Sequence, residues 1–486
     1  MSHLQESSYA RLPGRFYARL DPTPVARPRL IRFNEALAAE LGLDLGTADA
    51  DTLAAMFSGN RLPPGVVPLA MAYAGHQFGY FVPQLGDGRA ILLGEVRDAT
   101  GRRFDVQLKG AGRTPFSRDG DGRAALGPVL REYLVSEAMH ALGIPATRAL
   151  AAVLTGESVQ REQPLPGAIL TRVAASHVRV GTFQYFAARA DLEAIRRLAD
   201  YVIERHCPEV RAAERPYLGL LQSVIERQAR LIAHWMHVGF IHGVMNTDNM
   251  ALSGETIDFG PCAFMDAYDP ATVFSSIDSF GRYAYANQPQ IAQWNLARFA
   301  ETLPALIDTN PERGLELAGE AVAAFPGRYA EHWLAGMRSK LGLCSAEEGD
   351  RDLAQALLDA MHASQADFTL TFRRLADAAQ GEGGPRDLLA NRELDDWLPR
   401  WRSRLLRDPQ APEARATAMR RANPAFIPRN HRIEQIIRAA LERDDFSPFA
   451  EMLEVLAHPY EEQPRFQSYA GPPQPSERVL QTFCGT

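Results

Sequence analysis

Apolar and polar positions change period along this chain of 486 residues. From about residue 65 to 185 they fall in short runs broken by glycine-containing turns, as strands require. AILLGEVRD (90–98) and RFDVQLKG (103–110) flank a short ATGR turn and predict a hairpin. ALAAVLT (149–155) and AILTRVA (168–174) predict two further strands, separated by the polar, Pro-containing GESVQREQPLPG. Between the two pairs, Val129, Leu130, Tyr133, Leu134, Ala138, Ala141 and Leu142 recur at helical spacing, and Gly143 and Pro145 stop the helix. From residue 186 the period is helical: DLEAIRRLADYVIERH is one helix, and YLGLLQSVIERQARLIAHWMHVG is a longer one. Helical pattern continues to about 457 across polar joints such as AAQGEGGPRD, with DDWLPRWRSRLL read as a packed helix. The stretch from His458 onward is Pro-rich and polar, and predicts an irregular tail.

Strand, strand, helix, strand, strand followed by helices predicts an α+β protein that begins like a protein kinase. Hydrophobic content of 46% and charged content of 23% are ordinary for a globular chain with a large core. A net charge of −7 and a pI near 6.0 give no electrostatic footprint for nucleic acid or an anionic membrane. No apolar run long enough for a signal peptide or a membrane span is present, so a cytoplasmic location is expected. Cys207, Cys262, Cys344 and Cys484 form no C-x-x-C pair, which excludes a disulfide framework or a cysteine zinc site as the organising principle.

Chemistry concentrates in IHGVMNTDNMALSGETIDFGP (241–261). His242 is followed seven residues later by Asn249 and then by Asp258-Phe-Gly, the order of a kinase catalytic segment. Where a kinase keeps its catalytic aspartate stands Val244, and the nearest carboxylate is Asp248. Asn249 and Asp258 flank a turn at Ser253-Gly254, which can return both oxygen donors to one magnesium ion. His242 reads as a packing and hydrogen-bonding residue. His234 and His237 lack the third ligand a zinc site needs.

Lys109 ends an alternating strand, and a phosphate is a good reason for a lysine there. Glu132 and Glu137 both offer it an ion pair. They lie about 140° apart on the helix, so only one points at the strand. LGDGRA (85–90) and GAGRTPFSRDGDGRAALG (110–127) flank the Lys109 strand; their glycines let backbone N–H groups approach phosphate oxygens, while Arg89, Arg113, Arg118 and Arg123 supply charge. Arg172 and Arg179 are further phosphate candidates, with surface salt bridges the simpler reading of the two alone.

YAGHQFG, LGDGRA, VQLKGAGRTPFSRDGDGRA, LTRVA, VRVGTF, HGVMNTDNM, IDFGPCAFMD and NPAFIPRNH, with Leu130–Leu150, together resemble the selenoprotein O (SelO/YdiU) family over nearly the whole chain. The resemblance implies a bilobal protein-kinase-like fold, with a β-rich N-lobe carrying one key helix and a helical C-lobe with a long helical C-terminal extension. On this reading residues 1–64 are an N-terminal extension, 65–185 the N-lobe, 186–280 the C-lobe core, 281–457 the helical C-terminal region and 458–486 the tail. It implies AMP transfer from ATP to Ser, Thr or Tyr hydroxyls of proteins, with Mg2+ or Mn2+ and no nucleic-acid or membrane partner. Lys109 would pair with Glu132, while Gly86, Gly88, Arg89, Asp121, Gly122, Arg172 and Arg179 would line the ATP site. Asn249 and Asp258 would hold the metal, and Asp248 would accept the proton. The nucleotide would bind in the reverse sense to a kinase, presenting its α-phosphate. A redox bond between Cys262 and Cys484 is also implied. A kinase-type phosphotransferase and a silent nucleotide-binding scaffold are the competing readings.

Overall fold

The structure, a computed structural model, describes residues 4–45, 47–381 and 392–483. Its strands are β1 (Tyr17–Arg19), β2 (Arg29–Phe33), β3 (Leu69–Met71), β4 (Gly75–Gln77), β5 (Tyr80–Val82), β6 (Ala90–Arg97), β7 (Arg103–Lys109), β8 (Ala124–Ala125), β9 (Arg148–Gln160) and β10 (Pro164–Ala174), followed by β11 (Phe240–Ile241) and β12 (Ala263–Phe264). An eight-stranded antiparallel sheet runs β1-β3-β6-β7-β10-β9-β2, with β8 on β10. β4 and β5 form a separate hairpin, and β11 pairs with β12. The first 64 residues supply both edge strands, so they are woven into the sheet. β9 and β10 are longer than the apolar runs that announce them: polar residues to Gln160 and from Pro164 stay paired, leaving three residues for the turn.

Alternation along β7 decides how the sheet is used. Val106 and Leu108 face a small core with Leu53 and Phe57, while Asp105, Gln107 and Lys109 face the other way. All three polar residues are buried, and each has partners. Asp105 meets Arg205 at 2.7 Å, Gln107 donates to Asp87 at 3.0 Å, and Lys109 meets Glu132 at 2.6 Å. A buried polar ladder is tolerated only when every rung is satisfied.

The helices are α1 (Glu35–Glu40), α2 (Ala50–Phe57), α3 (Leu126–Ala141), α4 (Val180–Ala187), α5 (Leu192–His206), α6 (Pro216–Val238), α7 (Gln288–Ala300), α8 (Pro304–Ile307), α9 (Pro311–Ala323), α10 (Phe325–Lys340), α11 (Asp350–Ser364), α12 (Phe368–Ala378), α13 (Arg392–Arg407), α14 (Pro412–Ala422), α15 (Asn430–Arg443), α16 (Ser447–Leu456) and α17 (Gln467–Ala470). α3 packs on the polar side of the sheet, and most of the helical residues share one large apolar core with it. Trp397 and Trp401 of α13 stack at 5.4 Å and donate to the Leu353 and Leu341 carbonyls, as a packed helix should. The AAQGEGGPRD joint falls largely outside the described residues. Beyond His458, short helical turns interrupt irregular chain. Among the described residues, no helix is long and apolar enough to cross a membrane.

α10 ends on a buried lysine. Lys340 sits 4.1 Å from the Phe372 ring centroid, and burial pulls its ammonium down to about 7. A lysine depressed in the folded state costs stability at neutral pH, and the cost fades as pH rises toward the unfolded value of about 10.4. Lys340→Met is therefore expected to stabilise the protein at pH 7 by on the order of 2–4 kcal/mol, and by much less at pH 10. Equal or lower melting temperature at pH 7 would refute this.

Candidate active site

Strand register brings the first half of the site together. Lys109 of β7 lies opposite Leu170 and Gln107 opposite Arg172 of β10, so Lys109, Gln107 and Arg172 share the face covered by α3. From α3, Glu132 accepts from Lys109 at 2.6 Å and from Arg172 at 3.3 Å, while Arg172 also donates to Gln107 at 2.8 Å. Glu137, on the other side of α3, accepts from Arg148 and Asn34 instead. The helical wheel thus separates the two glutamates, and Glu132 is the one that meets Lys109. Arg172 is buried beside this pair, not paired at the surface.

Lys109 also touches the Asp258 carboxylate. Lys109, Arg172 and Arg89 hold Asp258 far below the usual carboxylate range against the opposing effect of burial. Its φ is 65°, a left-handed conformation that an aspartate adopts at a cost of about 1–3 kcal/mol. Asn249 is brought toward it by a short hairpin: Met250 bridges Thr256, and Gly254 turns the chain with φ 81°. The Asn249 Nδ2 donates to the Val244 carbonyl at 3.0 Å, and its Oδ1 accepts nothing among the described residues. A carboxylate and an amide oxygen from the two arms of one hairpin suit a hard divalent cation. Among the described residues there is no cluster of three or more His, Cys, Asp or Glu side chains that could hold a metal, so phosphate oxygens or water would have to complete the shell. His242 instead bonds the Ile257 carbonyl at 2.9 Å and His237 the Trp333 carbonyl at 2.9 Å, both packing roles.

Asp248 sits in the single 3-10 turn Thr247–Asn249. The turn is clamped by β4, whose His76 N–H donates to Thr247 at 2.7 Å, and by Phe78 N–H on Asn246 at 3.0 Å. Asp248 is buried, its Oδ1 has no hydrogen-bond partner among the described residues, and Gln77 donates to Oδ2 at a long 3.4 Å. Burial lifts this carboxyl to about 6 despite Arg179 nearby. Arg179, also buried, donates to the Asp248 main-chain carbonyl at 3.1 Å and lies over Tyr73 at 4.3 Å. A Cβ on Gly75 would fall 2.5 Å from Asp248 Oδ1. Gly75→Ala should therefore displace the carboxylate and cut turnover by about 10–100-fold with little change in KM for the nucleotide. A normal turnover number would refute it.

Asp248 opens into a cleft of about 820 Å³ that is also lined by Gly86, Gly88, Arg89, Asp121 and Gly122. Two of the glycines serve loop packing: a Cβ on Gly86 would meet the Phe116 ring at 2.4 Å, and one on Gly122 would meet Gly112 at 2.2 Å, each at positive φ. Asp121 pairs with Arg161 at 2.8 Å on the cleft rim. Arg118 and Arg123 line the cleft, Arg123 also donating to the Thr23 carbonyl, whereas Arg113 bonds the Gly120 carbonyl and does not line it. Arg172 does not line it, and neither do Lys109, Arg179, Asn249 or Asp258.

Asp87, Tyr73 and Gln107 received no role from the sequence, although Asp87 and Tyr73 stand inside the quoted LGDGRA and YAGHQFG motifs. Asp87 is buried, accepts from the Met71 N–H and Gln107 at 3.0 Å each, and lies 3.8 Å from Arg179. It couples the two halves of the site. Asn430, of the NPAFIPRNH motif, accepts from Arg131 at 2.8 Å, the residue before Glu132. Cys262 is buried, donates to the Phe259 carbonyl and has its thiol pushed up to about 12; Cys484, its expected partner, lies outside the described residues.

The model of a family described as protein adenylyltransferase SelO matches residues 1–457. The chain is 66% identical over 485 residues to a protein nucleotidyltransferase YdiU of Rhizobium etli (strain CIAT 652), covering 99% of this chain and 97% of the relative. Proteins of the same name from Rhizobium meliloti (strain 1021) and Bradyrhizobium sp. (strain BTAi1 / ATCC BAA-1182) are 65% and 64% identical, each over 99% of both chains.

Proposed function

We propose, on the premise that this chain belongs to the SelO family of protein adenylyltransferases, that it transfers AMP from ATP to serine, threonine or tyrosine hydroxyls of proteins. The observation that carries the reading is Asp248: a buried carboxylate with an unpartnered oxygen, opening on the same cleft as Arg89 and the glycine loops. The acceptor oxygen attacks the α-phosphorus, its proton passes to Asp248, and the bond from that phosphorus to the bridging oxygen of pyrophosphate breaks. The products are a phosphodiester on the protein and free pyrophosphate.

Lys109, held by Glu132, binds phosphate oxygens, and Arg89 and Arg179 add fixed positive charge where negative charge develops. Asn249 and Asp258 are the residues that would hold Mg2+ or Mn2+, which when bound supplies charge neutralisation at the phosphates. A sheet lysine paired to a helix glutamate, followed by an Asn and Asp-Phe-Gly hairpin, supports a bilobal kinase-like fold. The absence of a charge at Val244 and the buried position of Asp248 favour adenylyl over phosphoryl transfer. The same soluble chemistry fits a cytoplasmic enzyme using ATP.

ATP labelled at the α- or the γ-phosphate, incubated with a protein acceptor, tests the reading. Label from the α-position alone is expected. Label from γ alone would make the protein a kinase, and label from neither would make it a scaffold.

A further inference from the structure

Beside the Asp248 cleft runs a second groove of about 580 Å³, and its rim is unusually apolar. Tyr80 is 80% exposed, Ile277 63% and Phe280 98%. Large apolar side chains gathered at one exposed place mark a surface that binds something. One wall is the β4–β5 hairpin with Phe78 and Tyr80; the other is the segment from Ile277 to Arg282, with Trp294 of α7 at the base.

Both walls are fastened to the catalytic turn. Phe78 N–H donates to Asn246 Oδ1 at 3.0 Å, and the Tyr283 hydroxyl donates to the same oxygen at 2.6 Å. Asn246 is two residues before Asp248. In the hairpin, Gln77 lines the Asp248 cleft while Phe78 and Tyr80 line the groove. A chain lying in the groove is therefore led to Asp248.

The groove also has a sign. The Arg282 guanidinium lies over Trp294 at 4.9 Å, its Nε is buried without a hydrogen-bond partner, and no carboxylate pairs with it among the described residues. Asp278, the carboxylate that lines the groove, already accepts the Arg282 and Tyr283 main-chain N–H groups at 2.9 and 2.8 Å. Arg298, also 5.0 Å from the Trp294 centroid, is engaged with Glu301. Arg282, half-buried and engaged with the Tyr283 hydroxyl, thus has no counter-charge among the described residues and stands beside an apolar rim.

We infer that this groove binds the acceptor polypeptide, and that it selects segments in which a bulky apolar residue and an Asp or Glu lie within a few residues of the hydroxyl to be modified. The inference rests on the protein-acceptor reading above and gives it a substrate class. The apolar side chain seats among Tyr80, Ile277 and Phe280, and the carboxylate meets Arg282.

Three synthetic peptides of equal length test it: a serine flanked by Phe and two Glu, the same with Ala for Phe, and the same with two Lys for the Glu pair. Binding is read by fluorescence anisotropy and transfer by α-labelled ATP, with wild type, Arg282→Glu and Phe280→Ala. Wild type is expected to favour the Phe/Glu peptide over the Lys peptide by about 10-fold or more, in Kd and in KM, with kcat little changed. Arg282→Glu should reverse that order, and Phe280→Ala should erase the advantage of Phe over Ala while KM for ATP stays constant. Phe280 is almost wholly exposed, so its truncation leaves the fold intact. Equal binding of all three peptides, an order unchanged by Arg282→Glu, or a dimer that Phe280→Ala dissociates would overturn the inference. Selective binding without α-label transfer would keep the groove and overturn the transfer reading instead.

Discussion

Asp258→Ala is expected to lower nucleotide transfer by about 10³-fold or more, the largest single loss in the protein. The carboxylate is set among Lys109, Arg172 and Arg89, which hold it well below the usual carboxylate range. Alanine leaves those cations without their counter-charge and removes a donor from the Asn249 pair. Asp258→Asn separates charge from shape, because asparagine tolerates the φ of 65° that this position demands. The asparagine variant should keep the backbone of the turn and still lose most of the transfer. Rates with α-labelled ATP, set beside nucleotide binding by calorimetry, check both variants. Transfer within 10-fold of wild type for either would remove Asp258 from the reaction.

That aspartate and its neighbours were legible in the sequence because short-range patterns carry them. Alternation in RFDVQLKG put Lys109 on the polar face of a strand, and the turn at Ser253-Gly254 put Asn249 and Asp258 on facing arms. The helical wheel said that only one of Glu132 and Glu137 could meet the strand; the register of β7 against α3 decided which. Long-range pairings left no such signal. Asp87 bonds Gln107 across twenty residues and Asn430 braces Arg131 across 299 residues, and no local period marks either. Taken alone, Arg172 and Arg179 read more simply as surface cations than as phosphate ligands, because periodicity does not say which polar face a helix will later cover. The β1 and β2 strands were hidden for the same reason: edge pairing with partners 50 or more residues away needs no strong alternation.

The polar side of the sheet explains why these residues had to be satisfied so fully. α3 covers Gln107 and Lys109, and α5 brings Arg205 to Asp105, so leaving one rung unpaired would cost about 1–3 kcal/mol. Asp248 has an oxygen left bare among the described residues, as does Asp87, and of the two only Asp248 lines the cleft. A carboxylate kept dry and underbonded is destabilising to the fold and useful to a base, since water and strong donors would both quench its affinity for a proton.

Asp248→Asn is accordingly expected to abolish most transfer while making the protein more stable. The asparagine keeps the shape of the turn, and Arg179 still donates to the main-chain carbonyl of residue 248. It cannot take the proton of the attacking hydroxyl, so kcat should fall by about 10²–10⁴-fold with nucleotide affinity nearly unchanged. The stability effect has a definite sign. Burial raises the folded carboxyl from 3.8 to about 6, so the folded state holds this proton more tightly than the unfolded chain does. The proton's stabilising contribution is complete below pH ~4 and is lost as pH rises through ~6, leaving the ionised aspartate a liability at pH 7–8. Asparagine does not ionise, and should gain on the order of 1–3 kcal/mol at pH 7.5, with the gain shrinking toward zero near pH 4. Thermal melts of the chelator-treated protein across that range, run beside transfer assays, read both effects. A variant that melts lower than wild type at pH 7.5 would mean that Asp248 is bound by partners rather than held in reserve, and weakened ATP binding at normal turnover would remove it as the base.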